Sequence, residues 1–453
     1  MHSLNISFAK REQQISSTGA NEGTNVGAAD IAWVLMSTAL VMLMTPALAF
    51  FYGGLVRRKN LVSTLVQCMI IFAVVSLVWF FWGYSLVYGP SVGGVIGNLS
   101  KVGLNNVTLN SVYPSAQFIP EILFFAFQLK FAAITPALIL GACAERIRFK
   151  SLLIFVVLWS TLIYSPIASW IWNPNGWLHA LGALDFAGGM VVHVAAGVSA
   201  LAAALVLGRR QGCVYWKDQL KSLDRKGTSK TVPMGSEFKP TNIPYVILGA
   251  GLLWFGWFGF NGGSALAANS IAVSAVVTTN LAAAAAAVSW MSMDWLIKGK
   301  PSAVGIAVGA VCGLAAITAA SGYVSFWAAV VIGLAAGVIS NLVANWRAGR
   351  SRIDDSLDVF ACHGIGGIIG AVSIGLFATA ALTPNGVTGL IYGNVHLLEV
   401  QLLAVGVVSA FAFFGTYALL KVVDRFSPLR VSPKEEEDGL DMSQHGEEAY
   451  HLD

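Results

Sequence analysis

Residues 183–208 read ALDFAGGMVVHVAAGVSALAAALVLG. From 187 to 208 the run carries only two polar side chains, His193 and Ser199. About 20 apolar residues in a helix cross a bilayer core of about 30 Å. The stretch therefore reads as a membrane-crossing helix with a histidine set inside it. Asp185 stands just ahead of the run, where a helix N-cap would sit.

Working outward, ten more runs meet the same length criterion: roughly 31–55, 61–84, 118–143, 151–172, 243–262, 271–297, 302–320, 326–345, 358–380 and 396–420. The fold class is all-α integral membrane protein with eleven transmembrane helices. Composition agrees. Of 453 residues, 56% are hydrophobic and 11% charged, against about a quarter charged in soluble domains. A net charge of +4 gives no nucleic-acid partner. No P-loop, Rossmann turn or zinc cluster occurs, so no cofactor, metal or catalytic residue is expected. The in-membrane polar groups lack a nucleophile–base pair, which leaves an enzyme reading with little support.

Lys and Arg set the orientation. With the N-terminus outside, the inner segments hold 23 of the 27 basic residues, from Arg57, Arg58 and Lys59 through Arg146, Arg148 and Lys150 to Arg430 and Lys434. The outer loops hold only Lys101. The positive-inside rule thus predicts N-out, C-in. Residues 1–30 form a polar outer tail without the early apolar region of a secretory signal. Residues 31–426 form the helical domain. Residues 427–453, with eight acidic residues against Arg430 and Lys434, form a cytosolic tail. The sequons at Asn5, Asn98 and Asn106 fall on the outer side. Cys68, Cys143, Cys213, Cys312 and Cys362 suit neither a disulfide framework nor a metal site and read as small core residues.

Spans 1–5 and 6–10 have opposite topologies, giving an inverted 5+5 repeat plus a final helix. Span 5 carries Asp185, Gly188, Gly189 and His193. Span 10 carries Asp358, His363, Gly366 and Gly367. Inverted repeats place the transport site where the halves meet. Of seven histidines, only His193 and His363 lie well inside spans, and in-membrane ionisable groups are functional candidates by default. Helical rise puts His193 about 12 Å from the outer end and His363 about 7.5 Å from the inner end. That leaves a gap of about 10 Å in a core of about 30 Å.

Phe127 and Phe131 stand at i and i+4 on span 3. Trp254, Trp257, Phe260 and Ser264 follow one another toward the outer end of span 6, and Trp172 ends span 4. Such rings serve either as interfacial belts or as faces for a small cation. Lys130 falls mid-span and flanks that face of span 3. Its amine either points between helices or subunits, reaching polar groups or snorkelling to the interface, or approaches the cation path.

The strings AFFYGGLVRRKN, AFQLKFAAITPALILGACAERIRF, GALDFAGGMVVH, FGWFGFNGGSA, DVFACHGIGGIIG and the GLD…HGEEAY tail resemble the ammonium transporter family, in its Amt/Mep branch. They cover nearly every span in family order. The resemblance implies a homotrimer in a cell membrane, plasma or bacterial inner, taking up ammonium, or methylammonium, for nitrogen. It implies an outer binding site of Phe127, Trp172 and Ser264, a Phe131–Phe260 gate, and His193 with His363 lining a narrow pore. Asp185 matches the acid below the outer vestibule, as a cap or as a direct participant. It also implies either a PII-type regulator received at the inner face by the acidic tail and inner loops, or a tail that locks neighbouring subunits together. Ala319 stands where many relatives have proline, and the inner loop at 209–242 is long; neither is expected to touch the pore. A neutral gas channel of Rhesus type is the alternative. An ammonium sensor is disfavoured because no output domain follows Leu420.

Overall fold

The computed structural model describes residues 26–212 and 238–450, so the sequon at Asn5, Cys213 and most of the long inner loop lie outside the described residues. Within them, ten helices are long and apolar enough to cross a membrane. These are α1 (Ala28–Leu55), α2 (Arg58–Tyr88), α3 (Glu121–Cys143), α4 (Phe149–Ala180, broken after Trp172), α5 (Gly189–Leu207), α6 (Ile243–Gly263), α7 (Ser270–Lys298), α9 (Phe326–Arg350), α10 (Phe360–Phe377) and α11 (Val395–Phe426). The helix expected over 302–320, α8, is shorter: Ala303–Thr318, 16 residues. At 1.5 Å per residue it is about 24 Å long. Its last ten residues, Gly309–Thr318, are all buried, so its C-terminal half ends inside the protein. The only strand pair among the described residues is a two-residue hairpin ladder, Ser91–Val92 with Ile96–Gly97.

Local chemistry starts several helices. Asn242, Asn269, Ser302, Ser325 and Asn394 each accept a backbone N–H from the first turn of α6, α7, α8, α9 and α11. These caps satisfy donors that lipid could not.

Small residues decide which helices meet. In lipid no hydrophobic force drives helices together, so close backbone approach does. The first helices of the two halves, α1 and α6, pack along Gly249, Gly256, Gly259 and Gly263. A Cβ on Gly249 would lie 2.4 Å from the Phe51 nitrogen, and one on Gly259 would lie 2.9 Å from the Ser37 oxygen. On α8, Gly305, Gly309 and Gly313 recur every fourth residue. Added Cβ atoms there would strike Asp294, Trp290 and the Ala282 carbonyl of α7.

The chain alternates between two ends of the bundle. At one end, Gly27 bonds to Phe118, Trp177 to Gly94, and Leu184 to the Gln401 side chain, and Val324 bridges Ala378. At the other, Asn242 meets Gly54, Arg148 meets Leu429, and the charged residues gather. Arg57 and Arg210 pair with Glu145 at 3.1 and 2.9 Å, Arg210 forks onto Asp354, and Arg430 pairs with Glu436 at 2.7 Å. The tail is part of this end. Ser432 and Glu435 form a capping box on the short helix Pro433–Asp438. Asp441 accepts from the Val62 and Ser63 N–H groups, capping α2 across the chain.

The network is buried, so its charges must be matched. Burial pushes the Asp354 carboxyl up, but Arg210 and Arg146 more than offset it and hold it well below the ordinary range. Glu145, also opposed by burial, is held down by Arg210 and Arg57. Depressed carboxylates stabilise above their unfolded pKa, about 3.9–4.3 for Asp and Glu, and lose that contribution as pH falls through the folded value. Breaking a buried pair from one side costs about 3–5 kcal/mol. Arg210→Met should therefore lower the melting temperature in detergent at pH 7. It should also flatten the acid-side loss that the wild type shows below about pH 4.

Candidate functional site

The two half-repeats cross at α5 and α10. A Cβ on Gly197 would sit 2.0 Å from the Gly364 nitrogen, and one on Gly367 would sit 2.7 Å from the Gly189 oxygen and 3.0 Å from the His193 Cβ. Both helices open in a π-helical turn, Gly189–Val194 and Phe360–Gly364, and each turn contains the histidine. Such wide turns recur at functional sites.

This geometry closes the gap left by the depth arithmetic. The His193 and His363 rings lie 5.2 Å apart, 17° from parallel. The reason is that α5 starts at Gly189 and α10 at Phe360, each after a non-helical segment that carries buried acids, Asp185 before α5 and Asp354 with Asp355 before α10. His193 is thus four residues into its helix, not eight. The counterpart of Asp185 is also corrected. Asp355, eight residues before His363 as Asp185 is before His193, is the buried acid at the start of α10, where its Oδ2 accepts the Phe360 N–H at 2.8 Å. Asp358, expected in that role, instead pairs with Arg347 at 2.6 Å.

Asp185 is fully engaged. Oδ1 accepts from Gly188 and Gly189 N–H at 2.9 and 2.7 Å, and Oδ2 from Met190 and Val191 at 2.8 and 3.0 Å. Gly188 adopts φ 105° to allow this, a conformation strained for any residue with a side chain. Ala319 packs against this segment and borders neither cavity described below. Its carbonyl accepts from Phe186, and a Cβ on Gly189 would strike its methyl at 2.3 Å. The end of α8 packs on the start of α5.

Above the histidines lies a cavity of about 170 Å³, walled in part by Phe131, Trp172, Asp185 and Ser264. Trp172 donates its indole N–H to the Asp185 carbonyl at 3.0 Å, which fixes the ring. Ser264 donates to the Phe260 carbonyl at 2.8 Å, leaving lone pairs free to accept. Phe131 and Phe260 are 4.3 Å apart between centroids. Phe131 borders the cavity above, and Phe260 borders a second, apolar one below. The lower cavity, about 10 Å³, is lined by Met44, Leu48, Ile134, Leu138, Leu253, Trp257, Phe260, Val311 and both histidines. It has room for roughly one water-sized molecule. Both His193 nitrogens and His363 Nδ1 are buried without a partner among the described residues.

The remaining expected residues fall as follows. Phe127 is buried 4.9 Å from Phe131 and backs it; it does not border the outer cavity. Lys130 Nζ lies 5.0 Å over the Phe72 ring on α2, away from both cavities. Sequence reasoning did not assign the stacking of Trp257 on His193, at 5.4 Å, or the cavity lining by Tyr88, Phe124, Gln128, His179 and Tyr323. Phe124, Gln128 and Phe131 share the i, i+4, i+7 face of α3, a signal that was legible.

The family model described as Ammonium Transporter Family matches residues 32–450. The chain belongs to that family. It is 46% identical over 421 residues to ammonium transporter Amt1 of Archaeoglobus fulgidus, covering 93% of this chain and 99% of the relative. It superposes on the crystal structure of Saccharomyces cerevisiae Mep2 with TM-score 0.80 at 36% identity, covering 92% of this chain and 90% of the other. A solved structure named Sensor Amt Protein matches with TM-score 0.80 at 30% identity, covering 92% of this chain and 98% of that one. The protein is a multi-pass membrane transporter of ammonium.

If Asp185 acts as a cap, Asp185→Asn should act through stability. The amide offers one acceptor oxygen where the carboxylate offers two, and buried unpaired N–H groups cost about 1–3 kcal/mol each. The expected outcome is a lower melting temperature in detergent, with an unchanged ammonium concentration dependence in the protein that remains folded.

Proposed function

We propose that this transporter recruits the ammonium cation at the outer cavity, strips one proton, and passes ammonia between His193 and His363. The cation would bind against Trp172 and Phe131, whose faces attract it by roughly 0.5–2 kcal/mol each, with Ser264 accepting one N–H. The observation that carries the reading is the histidine pair, three of whose ring nitrogens lack a partner among the described residues, in an apolar lumen of about one-molecule width directly below that cavity.

Carrying an intact cation through such a lumen costs tens of kcal/mol in the idealised Born limit. If ammonium titrates roughly like a lysine, deprotonation at pH 7 costs only about 4 kcal/mol. Ammonia then needs hydrogen-bond partners in place of water, and the imidazole nitrogens supply them. Imidazoles also exchange protons near neutral pH. We therefore read transport as electrogenic, ammonia plus a proton. The surrounding reading is N-out, C-in, a homotrimer with one pore per subunit, and a PII-type regulator at the basic inner face.

Electrical recording on purified protein in liposomes tests this. An ammonium gradient should evoke a current. His193→Ala with His363→Ala should abolish the current or its selectivity while the protein stays folded. Trp172→Leu with Ser264→Ala should raise the half-saturating ammonium concentration. Ammonia flux without current would favour the neutral-channel alternative. A substrate-dependent partner that persists after transport is lost would favour the sensor reading, which the likeness to Sensor Amt Protein keeps in view.

A further inference from the structure

The outer cavity has more acceptors than the recruiting residues account for. Tyr88, at the end of α2, borders it with only 2% of its surface exposed, and its hydroxyl has no partner among the described residues. Its ring is fixed by Phe124 at 4.8 Å and Tyr113 at 5.2 Å between centroids. Gln128, on α3, borders the same cavity, and its Oε1 is likewise buried and unpartnered. A buried oxygen without a donor is destabilising, so such atoms call for an explanation.

Ammonium presents four N–H donors in a tetrahedral arrangement. Ser264 Oγ has given its own proton to Phe260, so it can accept one of them. Aromatic faces attract the charge but are weak acceptors. At least one N–H is left for a conventional acceptor, and Tyr88 and Gln128, which carry the orphan oxygens, are among the residues of the wall.

We propose that Tyr88 and Gln128 form an acceptor corner of the outer cavity, in which the Tyr88 hydroxyl and the Gln128 carbonyl oxygen take N–H donors from the bound cation. The proposal rests on the outer-site reading above and adds specificity to it. A site built to pair N–H donors disfavours an analogue that lacks one. Methylammonium keeps three donors, enough for Ser264 and the corner only when its methyl group points away from all three oxygens. The corner therefore restricts methylammonium to few orientations and biases the cavity toward ammonium, whose four donors are equivalent.

The test is the concentration dependence of ammonium and methylammonium currents in liposomes for Tyr88→Phe, Gln128→Met and, in parallel, Ser264→Ala, each with a melting temperature. Tyr88→Phe keeps the ring and removes one oxygen. Gln128→Met keeps the length and removes the amide. Each should raise half-saturating ammonium about three- to tenfold, as expected for one hydrogen bond to a charged group discounted for partial solvation. Each should narrow the preference for ammonium over methylammonium, with maximal current within about twofold of wild type. If Ser264→Ala weakens binding while both other variants match wild type, the corner is overturned and the outer site stands. If all three match wild type, the outer-site reading falls and the corner with it. Equal weakening for both substrates would mark a packing role and overturn the corner. Should Tyr88→Phe melt early, Gln128→Met decides alone.

Discussion

Two backbones touching at glycine hold the functional centre in place. Gly197 against Gly364, and Gly367 against Gly189, bring α5 and α10 closer than side chains would permit. Lipid supplies no hydrophobic drive for helix association, so contact at this range must come from removing side chains. The stacking of His193 on His363 follows from this approach. So does the width of the lumen, because the rings fill the space that the glycines leave.

The same constraint explains the irregular backbone beside the centre. A π-helical turn frees carbonyls and donors that the bilayer cannot satisfy. Here each turn is buried in protein and follows an acid that takes the exposed N–H groups, Asp185 for α5 and Asp355 for α10. Among the polar atoms that remain unsatisfied are some on the route itself, three histidine nitrogens and two oxygens of residues in the upper cavity wall. In a transporter these are the atoms expected to exchange partners with substrate, water or protons.

The basic end of the bundle is organised by a different force. Arg57, Arg210 and Arg430 sit on segments far apart in sequence, and each finds a buried carboxylate: Glu145, Asp354 or Glu436. This lattice ties the ends of α1, α3, α5 and α11 to the tail. The tail in turn caps α2 through Asp441. A polar, acidic terminal stretch is thereby a structural part of the charged end of the bundle.

By itself the sequence determined the order of apolar segments, the asymmetry of their charges and the two in-membrane histidines, His193 and His363, as candidates. Each follows from the cost of placing polar atoms in hydrocarbon, which is a property of composition along one chain. The strings of the family motifs also singled out Trp172, Ser264, Phe131 and Phe260. Only the tertiary structure decided how the histidines meet, because the depth of a helix start depends on where its preceding loop folds. The segments before α5 and α10 each bury an acid that caps the following helix, which makes Asp355 and not Asp358 the mate of Asp185. The direction of Lys130, over Phe72 and away from the pore, was likewise open until α2 and α3 were seen together. Tyr88 and Gln128 carried no signal as isolated letters. Their meaning comes from lining one cavity with unpaired oxygens, a property of neighbours that no single stretch of sequence contains.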